Sequence, residues 1–188
     1  MYKSFLIAGC CLLGACQLQN DSKKNTNINQ VDSETGMSAF QKEGAKMLNQ
    51  YLQLKGHVSS INDTNRLHIL AKEMMRLADS ATMLADNLPE LIRDSVVTAS
   101  MALSDELSGL SIETDLHEIQ MAFQVSSLQL FELLKWMKLP GVKIYKFYDV
   151  EGISAKGATW LDITSGSVQP YEAKSNSQKL LITDSLIH

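Results

Sequence analysis

Residues 66–88 read RLHILAKEMMRLADSATMLADNL, and the placing of their apolar side chains decides the fold class. Leu67, Leu70, Met74, Leu77, Ala81, Leu84 and Leu88 step by three and four throughout, which lays one narrow stripe along a single face of an α-helix. A half-buried strand would need alternation by two, and the stretch has none. A stripe of this kind must be buried on a neighbour, so the flanking sequence is expected to supply matching ones.

Upstream, Ser38 and Gln41 have the spacing of a capping box. Phe40, Met47, Tyr51, Leu54 and Val58 then recur at near-helical spacing and end around Ser60. Asp63 and Thr64 are candidate caps for the helix quoted above. Downstream, Pro89 suits the first turn of a third helix, with Ile92, Val96, Ala99, Leu103 and Leu107 inward and Gly109 as its stop. In a fourth, Leu116, Ile119, Phe123, Ser126, Leu130, Leu133 and Met137 alternate three and four before Pro140-Gly141 ends it. Four stripes on short connections can be buried only against one another. This predicts a mainly α fold, with a four-helix up-and-down antiparallel bundle over residues 38–140.

Beyond residue 140 the period changes to two. Val142, Ile144 and Phe147 alternate with Lys143 and Lys146, followed by ATWLDI (158–163) and KLLITDSLI (179–187). Residues 141–188 are thus expected to form a short C-terminal extended or β-hairpin segment packed on the bundle.

Composition agrees with this reading. The 188 residues are 45% hydrophobic and 20% charged, enough for one ordinary core. Ten glycines, three prolines and 6% aromatics favour helices over many short strands. The formal net charge of −4 is mild and offers no cationic footprint for nucleic acid.

All three cysteines lie within IAGCCLLGACQLQN, residues 7–20. One lysine, Lys3, precedes an uncharged run over residues 5–15, the plan of a signal peptide. Eleven helical residues reach about half of the roughly 30 Å hydrocarbon core, too few for a permanent span. The run ends in Leu13-Gly14-Ala15-Cys16, which resembles the lipobox of bacterial lipoproteins; Ile7-Ala8-Gly9-Cys10 is a competing box with less apolar sequence before it. The resemblance implies removal of residues 1–15 as a lipoprotein signal peptide, taking Cys10 and Cys11 with it, and lipidation of Cys16. Several acyl chains on one cysteine anchor a protein stably. Gln17, where an aspartate would retain such proteins at the inner membrane, implies an outer-membrane anchor with the domain facing the periplasm. Residues 17–37 are polar and aperiodic, so residues 16–37 read as a lipidated cysteine and a flexible tether.

Signatures of catalysis are missing from the sequence. His117-Glu118 starts like a zinc-protease helix, but Met121 stands where the second histidine belongs. There is no phosphate-binding loop, nucleophile elbow or dinucleotide fingerprint. His57, His68 and His117 fall on different predicted elements beside the stripes, so a shared metal site would need the fold to bring them together. Met47, Met74, Met75, Met83, Met101, Met121 and Met137 invite a soft-metal reading, but most lie on or beside helix seams, where core filling explains them. No cofactor, metal ligand or catalytic residue is assigned.

The C-terminal motifs carry a second resemblance. Residues 144–147 (IYKF), residues 157–161 (GATWL) and Pro170-Tyr171 resemble the end of the periplasmic helical family known as domain of unknown function 3347, which accompanies adaptor subunits of copper and silver efflux systems. YLQLK from Tyr51, and Phe123 with Ser127, are similar to its helices. That family continues from its aromatic strand into Cys-Pro-Met, where this chain has Tyr148-Asp149-Val150, and ends in a Met and a Cys-Gly, where it has residues 180–184 (LLITD). The sulfur ligands suited to a soft cation are therefore replaced. The matched residues Trp160, Leu161, Pro170 and Tyr171 are expected to be structural.

Three function classes follow. The first is a non-catalytic envelope lipoprotein acting as an interaction or accessory module, with an efflux component as the implied partner. The second is a periplasmic copper or heavy-metal binding accessory protein, and the third a small-molecule binding domain.

Overall fold

The computed structural model describes residues 38–59, 63–150, 152–153, 157–167, 169–171 and 180–187. The signal segment, Cys16 and the tether to residue 37 lie outside the described residues. Four helices, α1 (Ala39–Lys55), α2 (Thr64–Leu84), α3 (Glu90–Leu110) and α4 (Leu116–Met137), precede three strands, β1 (Lys143–Asp149), β2 (Ala158–Asp162) and β3 (Leu180–Ile187). The chain is mainly helical, with a small antiparallel sheet at its C-terminal end.

Local chemistry sets the helix starts. Ser38 Oγ accepts from Gln41 N at 3.2 Å while Gln41 Oε1 accepts from Ser38 N at 2.9 Å, so the capping box is complete. Asp63 caps α2 through Arg66 N, and Asp115 caps α4 through Glu118 N, each at 3.1 Å. Pro89 precedes Glu90 as the N-cap of α3. Helix ends differ from expectation: α1 stops at Lys55 and not around Ser60, and α2 stops at Leu84, with a 3-10 turn over Ala85–Asn87 before Leu88. Helix α3 runs through Gly109 to Leu110, because burying Leu110 beside Leu107 offsets the roughly 1 kcal/mol helix penalty of glycine. Helix α4 stops at Met137, before Pro140-Gly141, with Lys138 in the left-handed region at φ 49°. The turn it makes buries Leu139.

Consecutive helices pack on one another, α1 on α2, α2 on α3 and α3 on α4, and α1 also meets α4. At that meeting Gly44 is required by close approach. A Cβ there would lie 3.0 Å from Leu139 Cδ2 and 3.1 Å from Met137 Cβ. The buried face of α2 is rotated from the expected seam. Leu67, Leu70, Ala71, Met74, Ala78 and Ala81 are buried, whereas Leu77, Leu84 and Leu88 are partly buried at its margin. A helix with neighbours on two sides buries a wider face than a two-helix seam, and alanines on that face let the neighbours come close.

In the sheet, β1 lies between β2 and β3, so the expected hairpin is extended by a third strand. Phe147 opposes Trp160 on β2, and Ile144 opposes Leu186 on β3. A bulge breaks the β1–β3 register: Lys146 opposes Asp184 and Phe147 opposes Ile182, which leaves Thr183 as the extra residue. Strand β2 is buried along its whole length and packs on α4, while β3 is the exposed edge.

The rotation of α2 has a measurable consequence. Leu70→Ala is expected to cost about 3 kcal/mol and Leu77→Ala about 1 kcal/mol, read from urea-denaturation midpoints. Equal losses would place Leu77 on the buried face.

Candidate functional site

The sheet meets the helices at a buried polar junction built on Tyr51, which is fully buried on α1. Ser127 Oγ donates to Phe123 O at 2.8 Å and so has no second proton to give. The Tyr51 hydroxyl therefore donates to Ser127 Oγ, at 2.8 Å, and accepts from Leu161 N, also at 2.8 Å. One hydroxyl thus ties α1 to α4 and to β2. Burial pushes the Tyr51 phenol well above its ordinary pKa, which keeps its proton in place.

Around this bond runs a train of rings. Tyr51 stacks on Phe123 at 5.1 Å, Phe123 meets Tyr171 edge-on at 6.2 Å, Tyr171 meets Trp160 edge-on at 6.1 Å, and Trp160 stacks on Phe147 at 5.5 Å. Such pairs contribute about 0.5–1.5 kcal/mol each beyond area burial. Tyr171 also donates its hydroxyl to Thr159 O at 2.8 Å. Trp160, Leu161, Pro170 and Tyr171 are all buried within this joint.

One helical turn beyond Tyr51, Lys55 pairs with Asp162 at the end of β2. Ser167 Oγ donates to Asp162 Oδ2 at 2.6 Å and accepts from Trp160 Nε1 at 3.1 Å. The other Asp162 oxygen accepts from the Ile163 and Thr164 amides at 2.7 and 3.0 Å. Burial opposes charge on Asp162, but Lys55, Ser167 and the Thr164 amide outweigh it and hold the carboxyl below its usual range. A shallow cleft of about 440 Å³ opens beside this pair, lined among others by Thr164, Gln169 and Pro170. Among the described residues lining the cleft, Lys55 and Asp162 neutralise each other, and the Ser167 proton is engaged by Asp162. This is the chemistry of a clamp.

His57, His68 and His117 are not brought together as a metal-holding group. His57 Nδ1 lies 4.0 Å from Asp63 Oδ2, His68 Nε2 lies 2.6 Å from Glu113 O, and His117 is exposed. Among the described residues no group of three or more His, Cys, Asp or Glu is placed to hold a metal ion. Met47, Met74 and Met137 fill the core, and Met75 packs against it. Met83 and Met101 are the exceptions to core filling, 74% and 55% exposed.

Strand β3 is the surface that sequence reasoning missed. Leu180, Leu181 and Ile182 are 38%, 51% and 49% exposed, and Ile187 is 69% exposed. Three consecutive apolar residues in a strand put side chains on both faces, which was the available signal; whether a face is covered depends on tertiary packing.

The chain matches no family model, no curated protein and no solved structure.

The Lys55–Asp162 clamp sets a pH dependence. A carboxyl whose folded pKa is depressed contributes stability that is present above its unfolded value, about 3.9, and lost as pH falls through the folded value. Asp162→Asn is expected to cost about 2 kcal/mol at pH 7, with the deficit shrinking below about pH 4 in acid denaturation curves. A deficit that stays constant with pH would mean that the carboxylate charge is not what stabilises the joint.

Proposed function

We propose that this chain is a non-catalytic envelope lipoprotein: Cys16 carries the lipid, residues 17–37 form the tether, and the domain acts as a protein-interaction module in the periplasm. The observation that carries the interaction reading is edge strand β3, which among the described residues pairs with β1 alone and whose Leu180, Leu181 and Ile182 are 38%, 51% and 49% exposed. An extended partner segment adding to such an edge gains main-chain hydrogen bonds and covers apolar side chains. The bulge at Thr183 and the charge of Asp184, which pairs with Lys146 at 3.7 Å, disfavour pairing of two β3 strands through their centres. Residues 180–182 are thereby left for a different partner.

The lipobox supports the anchor, and Gln17 supports the outer membrane. Short connections and the packing of each helix on the next support an up-and-down antiparallel arrangement of α1–α4. The resemblance to the domain of unknown function 3347 rests on GATWL and Pro170-Tyr171, and through it an efflux component is the partner of choice. The interaction reading is preferred to a small-molecule one because the cleft beside Lys55 is shallow and its charges are mutually satisfied.

Cys16→Ser is expected to release the protein from the membrane fraction. A photo-crosslinking residue at Ile182 is expected to give a discrete protein adduct in intact cells, and one at exposed Thr98 on α3 is not. Equal labelling from both positions, or none from Ile182, would remove β3 as the docking edge.

A further inference from the structure

The charge of this protein is segregated. Between Arg93 and Lys135 the chain carries seven carboxylates and not one Lys or Arg. The whole chain sums to only −4, so the remainder is net positive. The acidic stretch is the α3–α4 pair. Where these helices join, a groove of about 450 Å³ opens with an apolar floor and an acidic rim. The floor is Met121, Ala122 and Val125 of α4, all partly buried, and Ile112 stands at the lip with 74% of its surface exposed. The rim is Asp105 and Glu106 from α3, with Glu113 and Glu118 across the turn.

Among the described residues no Lys, Arg or His forms an ion pair with Asp105, Glu106 or Glu118. The Glu113 carboxylate accepts from the Thr114 and Asp115 amides at 2.7 and 2.9 Å, which keeps it charged at the groove's edge. An exposed isoleucine over a methionine floor loses free energy to water, and only a guest compatible with the rim can cover it. Anionic lipid, phosphate and nucleic acid are repelled by the rim. Along α4 the groove runs from Glu118 to Val125, seven residues or about 10 Å of helix, enough to meet two turns of a guest.

We propose that the α3–α4 groove docks a cationic amphipathic segment of a partner protein. Its apolar side chains would cover Ile112, Met121 and Val125, and its Lys or Arg side chains would face Asp105, Glu106 and Glu118. This surface is separate from β3 and goes beyond the reading given above. Charge complementarity of this kind sets specificity and speeds encounter, and it weakens with salt.

The test uses the purified full-length chain and a labelled 18-residue Lys/Leu peptide with its leucines on one helical face, titrated by fluorescence anisotropy. A Glu/Leu peptide with the same leucine face is the control. The Lys/Leu peptide is expected to bind saturably and the Glu/Leu peptide not to bind. Asp105→Lys with Glu118→Lys is expected to weaken binding tenfold or more, and Ile112→Gln severalfold, with thermal melting retained because the substituted positions are exposed. Unchanged affinity in the folded charge-reversed variant, equal binding of both peptides, or no saturation by millimolar peptide would each overturn the proposal. So would wild-type self-association abolished by the same charge reversal, which would assign the groove to a second copy. The crosslink from position 182 is independent of all these outcomes, so failure here leaves the β3 reading to its own test.

Discussion

The hydroxyl of Tyr51 fixes the sheet on the helices. It donates to Ser127 on α4 and accepts from the backbone of Leu161 on β2, so three elements distant in sequence meet at one buried oxygen. A buried donor or acceptor left without a partner costs about 1–3 kcal/mol. Displacing the sheet from the helices would orphan the hydroxyl and the Leu161 amide together. The sheet position is thus set by polar bookkeeping as well as by apolar area.

Around that oxygen, the five rings from Tyr51 to Phe147 and the Lys55–Asp162 clamp act at different ranges. The rings fill volume and tolerate small shifts. The clamp specifies distance and direction, because Asp162 meets Lys55, Ser167 and two backbone amides at once. No disulfide serves this joint: all three cysteines lie within residues 10–16, before the first helix. Close packing and satisfied hydrogen bonds take that role.

This division leaves the two proposed docking surfaces away from the joint. The sheet order leaves β2 and β3 as its two edges; β2 is buried along its length with its Leu161 amide held by Tyr51, so the edge exposed to solvent is β3. The acidic α3–α4 face has its own groove, at the turn between those helices. The polar groups of the joint are engaged with one another, whereas Leu180, Leu181, Ile182 and Ile187 of β3 and the rim residues Asp105 and Glu118 of the groove are exposed. Both proposed docking surfaces therefore lie apart from the joint.

The sequence by itself determined the elements, because helix periodicity, caps and strand alternation are local properties. Ser38, Asp63 and Pro89 begin helices as their chemistry requires, and the switch to period two after Pro140 marks the strands. The burial of Trp160, Leu161, Pro170 and Tyr171 was also legible as a packing motif. Only the tertiary structure decided which face of α2 is buried, since Leu77 and Leu70 are alike until two neighbouring helices choose between them. It likewise decided that Gly109 stays helical, that β1 takes a strand on each side, and that Leu181 and Ile182 face water while Leu161 does not. The acidic run from Asp94 to Glu132 stands in the sequence, hidden by a net charge of −4 that averages over it. Its meaning needed the fold, because a groove exists only where α3 and α4 lie side by side.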